Sequence, residues 1–79
     1  MEEILTLQVR RRPRDVLVAA AGEIDISTVP RLRRVLRTVT AGGQRVIVDL
    51  NQVSFIDATG LGALVGAVGR AAAAGAAST

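Results

Sequence analysis

Apolar and polar positions alternate from Ile4 to Val9, with Leu5, Leu7 and Val9 on one side and Ile4, Thr6 and Gln8 on the other. A period of two predicts a half-buried strand. The run Arg10-Arg11-Arg12-Pro13-Arg14-Asp15 breaks the pattern with charge and a proline, which predicts a turn or short loop. A second apolar run, Val16 to Ala21, follows; the two runs and their link predict a β-hairpin whose second strand closes at Gly22. The period then changes. Leu32, Val35, Leu36 and Val39 recur at helical spacing, while Arg31, Arg33, Arg34 and Arg37 fall mainly elsewhere. Ser27 or Thr28 suits the N-cap, Pro30 is tolerated in a first turn, and Gly42-Gly43 ends the helix.

Val46-Ile47-Val48, within Arg45 to Leu50, is a continuous apolar run of the kind found in strands covered on both faces. Strand, helix and strand in this order predict a βαβ unit with a right-handed crossover and a parallel pair. Asn51-Gln52 reads as a turn and Val53 to Ile56 as a short extended piece. Asp57 precedes a second helix expected to bury Leu61, Leu64, Val65 and Val68. The Ala71 to Ala77 tract extends that helix, and Gly75 with Ser78-Thr79 reads as its exit and the chain end. The predicted fold is α/β, a single domain over residues 1–79. It has a small mixed sheet, an N-terminal hairpin plus a parallel βαβ unit, with helices packed on it.

Composition narrows the chemistry. A chain of 79 residues buries only about 60–65% of its unfolded surface, so its stability is modest. At 49% hydrophobic and 22% charged it is globular, and with Phe55 its one aromatic residue the core must be built from Val, Ile, Leu and Ala. Without Cys there is no disulfide or thiolate metal site, and without His the commonest general base and metal ligand is missing. No enzyme activity, cofactor or metal is expected. The acidic start, Met1-Glu2-Glu3, does not resemble a signal peptide. The longest uncharged stretch, Ala58 to Gly69, is well below the ~20 residues of a membrane span, so no membrane partner is expected and the cytoplasm is the expected location.

The net charge of +3 comes from ten arginines against seven carboxylates. Arg10, Arg11, Arg12 and Arg14 mark the hairpin tip; Arg31, Arg33, Arg34 and Arg37 mark the first helix. Such clusters bind nucleic-acid phosphates in some proteins. No stacking aromatic or nucleic-acid motif accompanies them, so they read as a solvated basic face or a docking face for an acidic partner, and no direct nucleic-acid contact is expected. Asp25 and Asp57 do not read as a catalytic pair in a chain too short to build a deep cleft, and Asp49 reads as a turn or cap residue.

The junction Phe55-Ile56-Asp57-Ala58-Thr59-Gly60-Leu61-Gly62 stands out. Asp57 suits an N-cap, and Thr59 falls in the first turn near its free amides. Gly60 and Gly62 each cost roughly 1 kcal/mol of helix propensity, a cost that makes sense where something approaches the backbone closely. A phosphate on Thr59 would add about −1.5 to −2 charges beside a helix end that favours anions. The fold would tolerate it, while a partner pressed on the same surface would not. Taken locally, a plain cap and first turn is the favoured reading of the segment, because D-x-[ST]-G is short and common by accident.

Two blocks carry a family resemblance. Gly22-Glu23-Ile24-Asp25 before a helix resembles the G-E-[LI]-D segment of the STAS domain family. Arg45 to Leu50 followed by Val53 to Gly62 resembles its strand ending in D-L and then F-[IM]-D-[SA]-[ST]-G-L. Order and spacing match over about Leu5 to Arg70, and the chain looks like the stand-alone anti-sigma factor antagonist branch. The resemblance implies a regulatory protein that binds a serine/threonine-kinase-type anti-sigma factor, releases a sigma factor and is reset by a phosphatase. It implies phosphorylation at Thr59, with Asp25, Asp57, Gly60, Leu61 and Gly62 at the partner contact. A STAS module that senses a ligand or acts as a scaffold, and an arginine-driven nucleic-acid binder, are the alternatives. The family continues with another strand and a final helix beyond the second helix, so the sheet here is expected to be incomplete, with an edge suited to a second copy.

Overall fold

The structure, a computed structural model, describes residues 4–73, with side chains through Ala67. Three strands and two helices follow in the order β1 (Leu5–Arg11), β2 (Asp15–Ile24), α1 (Val29–Thr40), β3 (Arg45–Ile56) and α2 (Ala58–Ala73). The sheet order is β1-β2-β3, with β1 antiparallel to β2 and β2 parallel to β3. This is the predicted hairpin plus βαβ unit. The Gly75 exit lies outside the described residues.

Strand alternation places the core. Val16, Val18, Ala20 and Ile24 of β2 are buried on one face, with Leu5 of β1 and Val46 of β3. Against that face α1 sets Val29, Leu32, Leu36 and Val39, and α2 sets Ala63 and Ala67. At about 25 cal/mol per Å² of buried apolar surface, the aliphatic residues of this layer are the main stabilising term. Both helices share one cluster with the sheet, and the other sheet face keeps Leu17, Ala19 and Ile47 half-buried.

Four sequence expectations change. The hairpin turn is tighter: Arg10 and Arg11 belong to β1, and the reversal is closed by Arg12 N–H donating to the Asp15 carbonyl at 2.9 Å and by an Arg12–Asp15 ion pair. Gly22 does not end β2 but lies inside it at φ 108°; a Cβ there would fall 1.9 Å from the Ile4 carbonyl oxygen, so only glycine lets the two backbones approach. Asn51-Gln52 is not a turn, because β3 runs through it. The register shifts between Ala19 and Ala21 and between Gly22 and Glu23, so β3 carries one extra residue at Leu50-Asn51 and another at Ser54. Asp49 Oδ1 accepts the Asn51 N–H at 2.9 Å, and Ser54 Oγ donates to the Gly22 carbonyl at 3.2 Å.

The fourth change is the face that α2 buries. Leu61 and Val65 are 53% and 70% exposed, whereas Gly60, Ala63 and Ala67 are buried and Leu64 is half-buried. Small residues let the helix lie close to α1 and to the strand ends at Ile24 and Ile56, and the larger apolar ones turn outward.

Candidate functional site

The carboxyl ends of β2 and β3 lie side by side, linked by the Asp57 N–H donating to the Ile24 carbonyl at 3.1 Å. From this shared end the chain leaves β2 into α1 and leaves β3 into α2. The two exits bring Asp25 and Asp57, 32 positions apart in sequence, to the same end of the sheet. Each carboxylate organises its own turn.

Asp25 Oδ1 accepts three bonds: from Ser27 N–H at 2.9 Å, Ser27 Oγ at 2.6 Å and Thr28 N–H at 3.2 Å. Its carbonyl accepts from Thr28 and Val29 N–H at 3.1 and 2.8 Å. Thr28 holds the N-cap position of α1, but its hydroxyl does not cap. It faces back, accepting the Asp25 N–H at 3.0 Å and donating to the Glu23 carbonyl at 3.0 Å. The expected Ser or Thr cap is therefore replaced by an aspartate-centred turn. The Ser27 hydroxyl first, and then the Ser27 and Thr28 amides, hold the Asp25 carboxyl below its ordinary range, against the partial desolvation that opposes them.

Asp57 caps α2: its Oδ1 accepts the Gly60 N–H at 2.9 Å, and its carbonyl accepts the Leu61 N–H at 3.0 Å. Thr59 stands in that first turn, half-buried, and among the described residues its hydroxyl takes part in no hydrogen bond. Gly60 is buried, and the close approach it permits is internal. A Cβ there would lie 2.6 Å from Ile24 Cγ2 and 2.9 Å from Ile56 Cγ1. It therefore seats the turn rather than offering surface. Gly62 is exposed, with nothing within 4 Å of an added Cβ.

Ala58, Leu61, Gly62 and Val65 are exposed at helical spacing, forming a small-residue and aliphatic stripe beside Thr59. Ile26, 75% exposed in the Asp25 turn, and Phe55, 51% exposed near the end of β3, lie at the same end. Sequence reading passed over Ile26; the available signal was an isoleucine inside an Asp-Ser-Thr turn, where no core position exists. Among the described residues no group of three or more metal-ligating side chains occurs, and no helix is long and apolar enough to cross a membrane.

The model of the STAS domain family matches residues 6–78. The chain is 37% identical over 62 residues to the anti-sigma-B factor antagonist of Bacillus subtilis, an alignment covering 78% of this chain and 57% of that protein. It is 46% identical over 50 residues to the anti-sigma-B factor antagonist of Staphylococcus aureus, covering 62% of this chain and 46% of that protein. The chain thus spans about half the length of these relatives. A crystal structure of an anti-sigma factor antagonist from Mycobacterium paratuberculosis superposes with a TM-score of 0.78 at 29% identity, over 82% of this chain and 56% of that one. The family match over nearly the whole sequence agrees with the hairpin, the βαβ unit and the Asp57-Ala58-Thr59-Gly60-Leu61 junction, and the chain belongs to the STAS domain family.

Proposed function

We propose that this chain is an anti-sigma factor antagonist that binds a kinase-type anti-sigma factor, thereby releasing a sigma factor, and is turned off by phosphorylation of Thr59. The observation that carries the reading is the Thr59 hydroxyl: half-exposed, unbonded among the described residues, and placed in a first turn capped by Asp57. The names of the relatives support the same role. The partner face in this reading is Asp25, Asp57, Thr59, Leu61 and Gly62, with Gly60 seating the turn from beneath. Ile26 and Val65 extend its apolar part.

The switch follows from charge. A phosphate on Thr59 lies where the α2 amides and dipole favour an anion, so the fold keeps its stability. A docked partner meets a hydrated dianion between the Leu61 stripe and the Asp25 carboxylate, and the contact fails. The chain is then the kinase's substrate, not an enzyme. It works in the cytoplasm as one domain, needs no cofactor, and is reset by a phosphatase. A second copy pairing on the outer edge of β3 completes the proposal, and sedimentation over a concentration series that shows only monomer removes that part alone.

Incubation with a candidate anti-sigma kinase and ATP, followed by mass spectrometry, places one phosphate on Thr59; a phosphate elsewhere defeats the assignment. Thr59→Ala keeps partner binding, and Thr59→Asp weakens it by about tenfold or more. Equal binding by two folded variants defeats the charge mechanism.

A further inference from the structure

The end of the domain opposite Thr59 carries a second surface. The β1–β2 ladder fixes which backbone groups of β1 face outward. Glu23 N–H donates to the Ile4 carbonyl at one end, and Arg12 N–H to the Asp15 carbonyl at the other. Inward-facing positions alternate in an antiparallel pair, so Thr6, Gln8 and Arg10 bond to β2, while Leu5, Leu7, Val9 and Arg11 turn their N–H and C=O groups to the free edge. The Leu5 carbonyl is taken by the Arg31 guanidinium. The Leu7 and Val9 groups have no partner among the described residues.

Hollows flank this edge on both faces. On the helix side, a hollow of about 570 Å³ lies between β1 and α1, floored by Val9, Val35 and Val39 and rimmed by Arg11, Arg34 and Thr38. On the other side, one of about 450 Å³ is bordered by Gln8, Val9, Arg10, Leu17 and Ala19. Val9 lines both, so the strand edge is open above and below. Arg10, Arg11 and Arg34 make no ion pair among the described residues. The carboxylates Glu23, Asp25 and Asp57 sit at the far end of the strands.

We propose that the outer edge of β1 docks an extended acidic peptide segment of a partner protein, which adds to the sheet as a fourth strand. Main-chain bonds to Leu7 and Val9 set its register, and its side chains alternate into the two hollows. Acidic side chains meet Arg10 on one face and Arg11 with Arg34 on the other, and apolar ones rest on the valine floor. The site is independent of the Thr59 switch, since neither its residues nor its chemistry is shared with it. A duplex or an anionic membrane would use the arginines but would have no use for a row of free strand amides.

The probe is a fluorescein-labelled peptide repeating Glu-Glu-Val-Val, which presents both residue types to each face of the added strand, against a Lys-Lys-Val-Val control. The acidic peptide binds, and amide hydrogen exchange slows at Leu7, Val9 and Arg11. Arg11→Glu with Arg34→Glu weakens it by about tenfold or more. Val9→Pro removes one outward N–H that β2 does not use, so the sheet survives while affinity falls. The proposal is overturned if protection appears elsewhere on the wild-type chain, or if a folded Val9→Pro variant binds undiminished. It is equally overturned if phosphatidylglycerol vesicles or duplex DNA bind through the arginines while the peptide does not.

Discussion

Asp25 shows how one side chain can hold a site in place. Three donors converge on a single carboxylate oxygen, and the backbone they fix leads directly into α1. The carboxyl is held below its ordinary 3.8, chiefly by the Ser27 hydroxyl, and Asp15 is lowered as well by Arg12 at the hairpin turn. The sign follows: a group whose folded form prefers to be ionised contributes stability above its unfolded value and loses it as pH falls through the lower, folded one. Both carboxylates therefore make the domain acid-sensitive below about pH 4. Melting temperature measured from pH 6 to pH 3 falls on the acid side for the natural chain and falls less steeply for Asp25→Asn, with Asp15 accounting for part of what remains. An unchanged acid slope in Asp25→Asn would show that the turn does not discriminate between the charged and neutral side chain.

At the scale of elements, periodicity alone decided most of what the sequence revealed. Leu32, Leu36 and Val39 named the buried face of α1, and the Arg45 to Leu50 run named the core of β3. What misled was residue size. A helix is ordinarily expected to bury its largest apolar residues, yet α2 buries Gly60, Ala63 and Ala67 and exposes Leu61 and Val65. Close packing against α1 and the strand ends selects small residues, and nothing in the spacing of a segment this uniformly apolar shows which stripe faces in. The β3 bulges were hidden for a related reason: Asn51-Gln52 has turn chemistry, but the parallel pairing with β2 absorbs it as a kink within a longer strand. The Asp57 cap and the Thr59 turn were readable because capping depends on local residue order. The two α2 glycines make the packing argument quantitative. Gly60→Ala forces a Cβ into Ile24 and Ile56 and costs about 1–3 kcal/mol, whereas Gly62→Ala meets nothing and gains up to about 1 kcal/mol of helix propensity. Urea unfolding followed by circular dichroism separates them, and a shift of the same sign in both would mean that the α2 seat is not set by Gly60.

Across the whole molecule, charge and core size pull the two ends into different roles. Arginines crowd the hairpin end and the outer face of α1, while Glu23, Asp25 and Asp57, with exposed Ile26, Phe55 and Leu61, occupy the end where β2 and β3 meet their helices. The layer that joins these ends is thin. At about 0.05–0.15 kcal/mol per residue, a chain of 79 residues has roughly 4–12 kcal/mol of stability. Leu36 is fully buried in the cluster that binds α1 to α2 and the sheet. Truncating such a leucine costs about 2–5 kcal/mol, a large part of that total. Leu36→Ala therefore lowers the urea midpoint strongly, while Val65→Ala, on the outward stripe, stays within about 0.5 kcal/mol of the natural chain. If the proposed partner face is correct, the same two variants reverse their order in a binding assay at a temperature where both are folded. Val65→Ala then loses affinity through its missing contact, and Leu36→Ala keeps it. A partner in excess also raises the melting temperature of Leu36→Ala, because binding only to the folded form draws the equilibrium toward it. Affinity loss in Leu36→Ala with none in Val65→Ala would place the partner elsewhere than the α2 stripe.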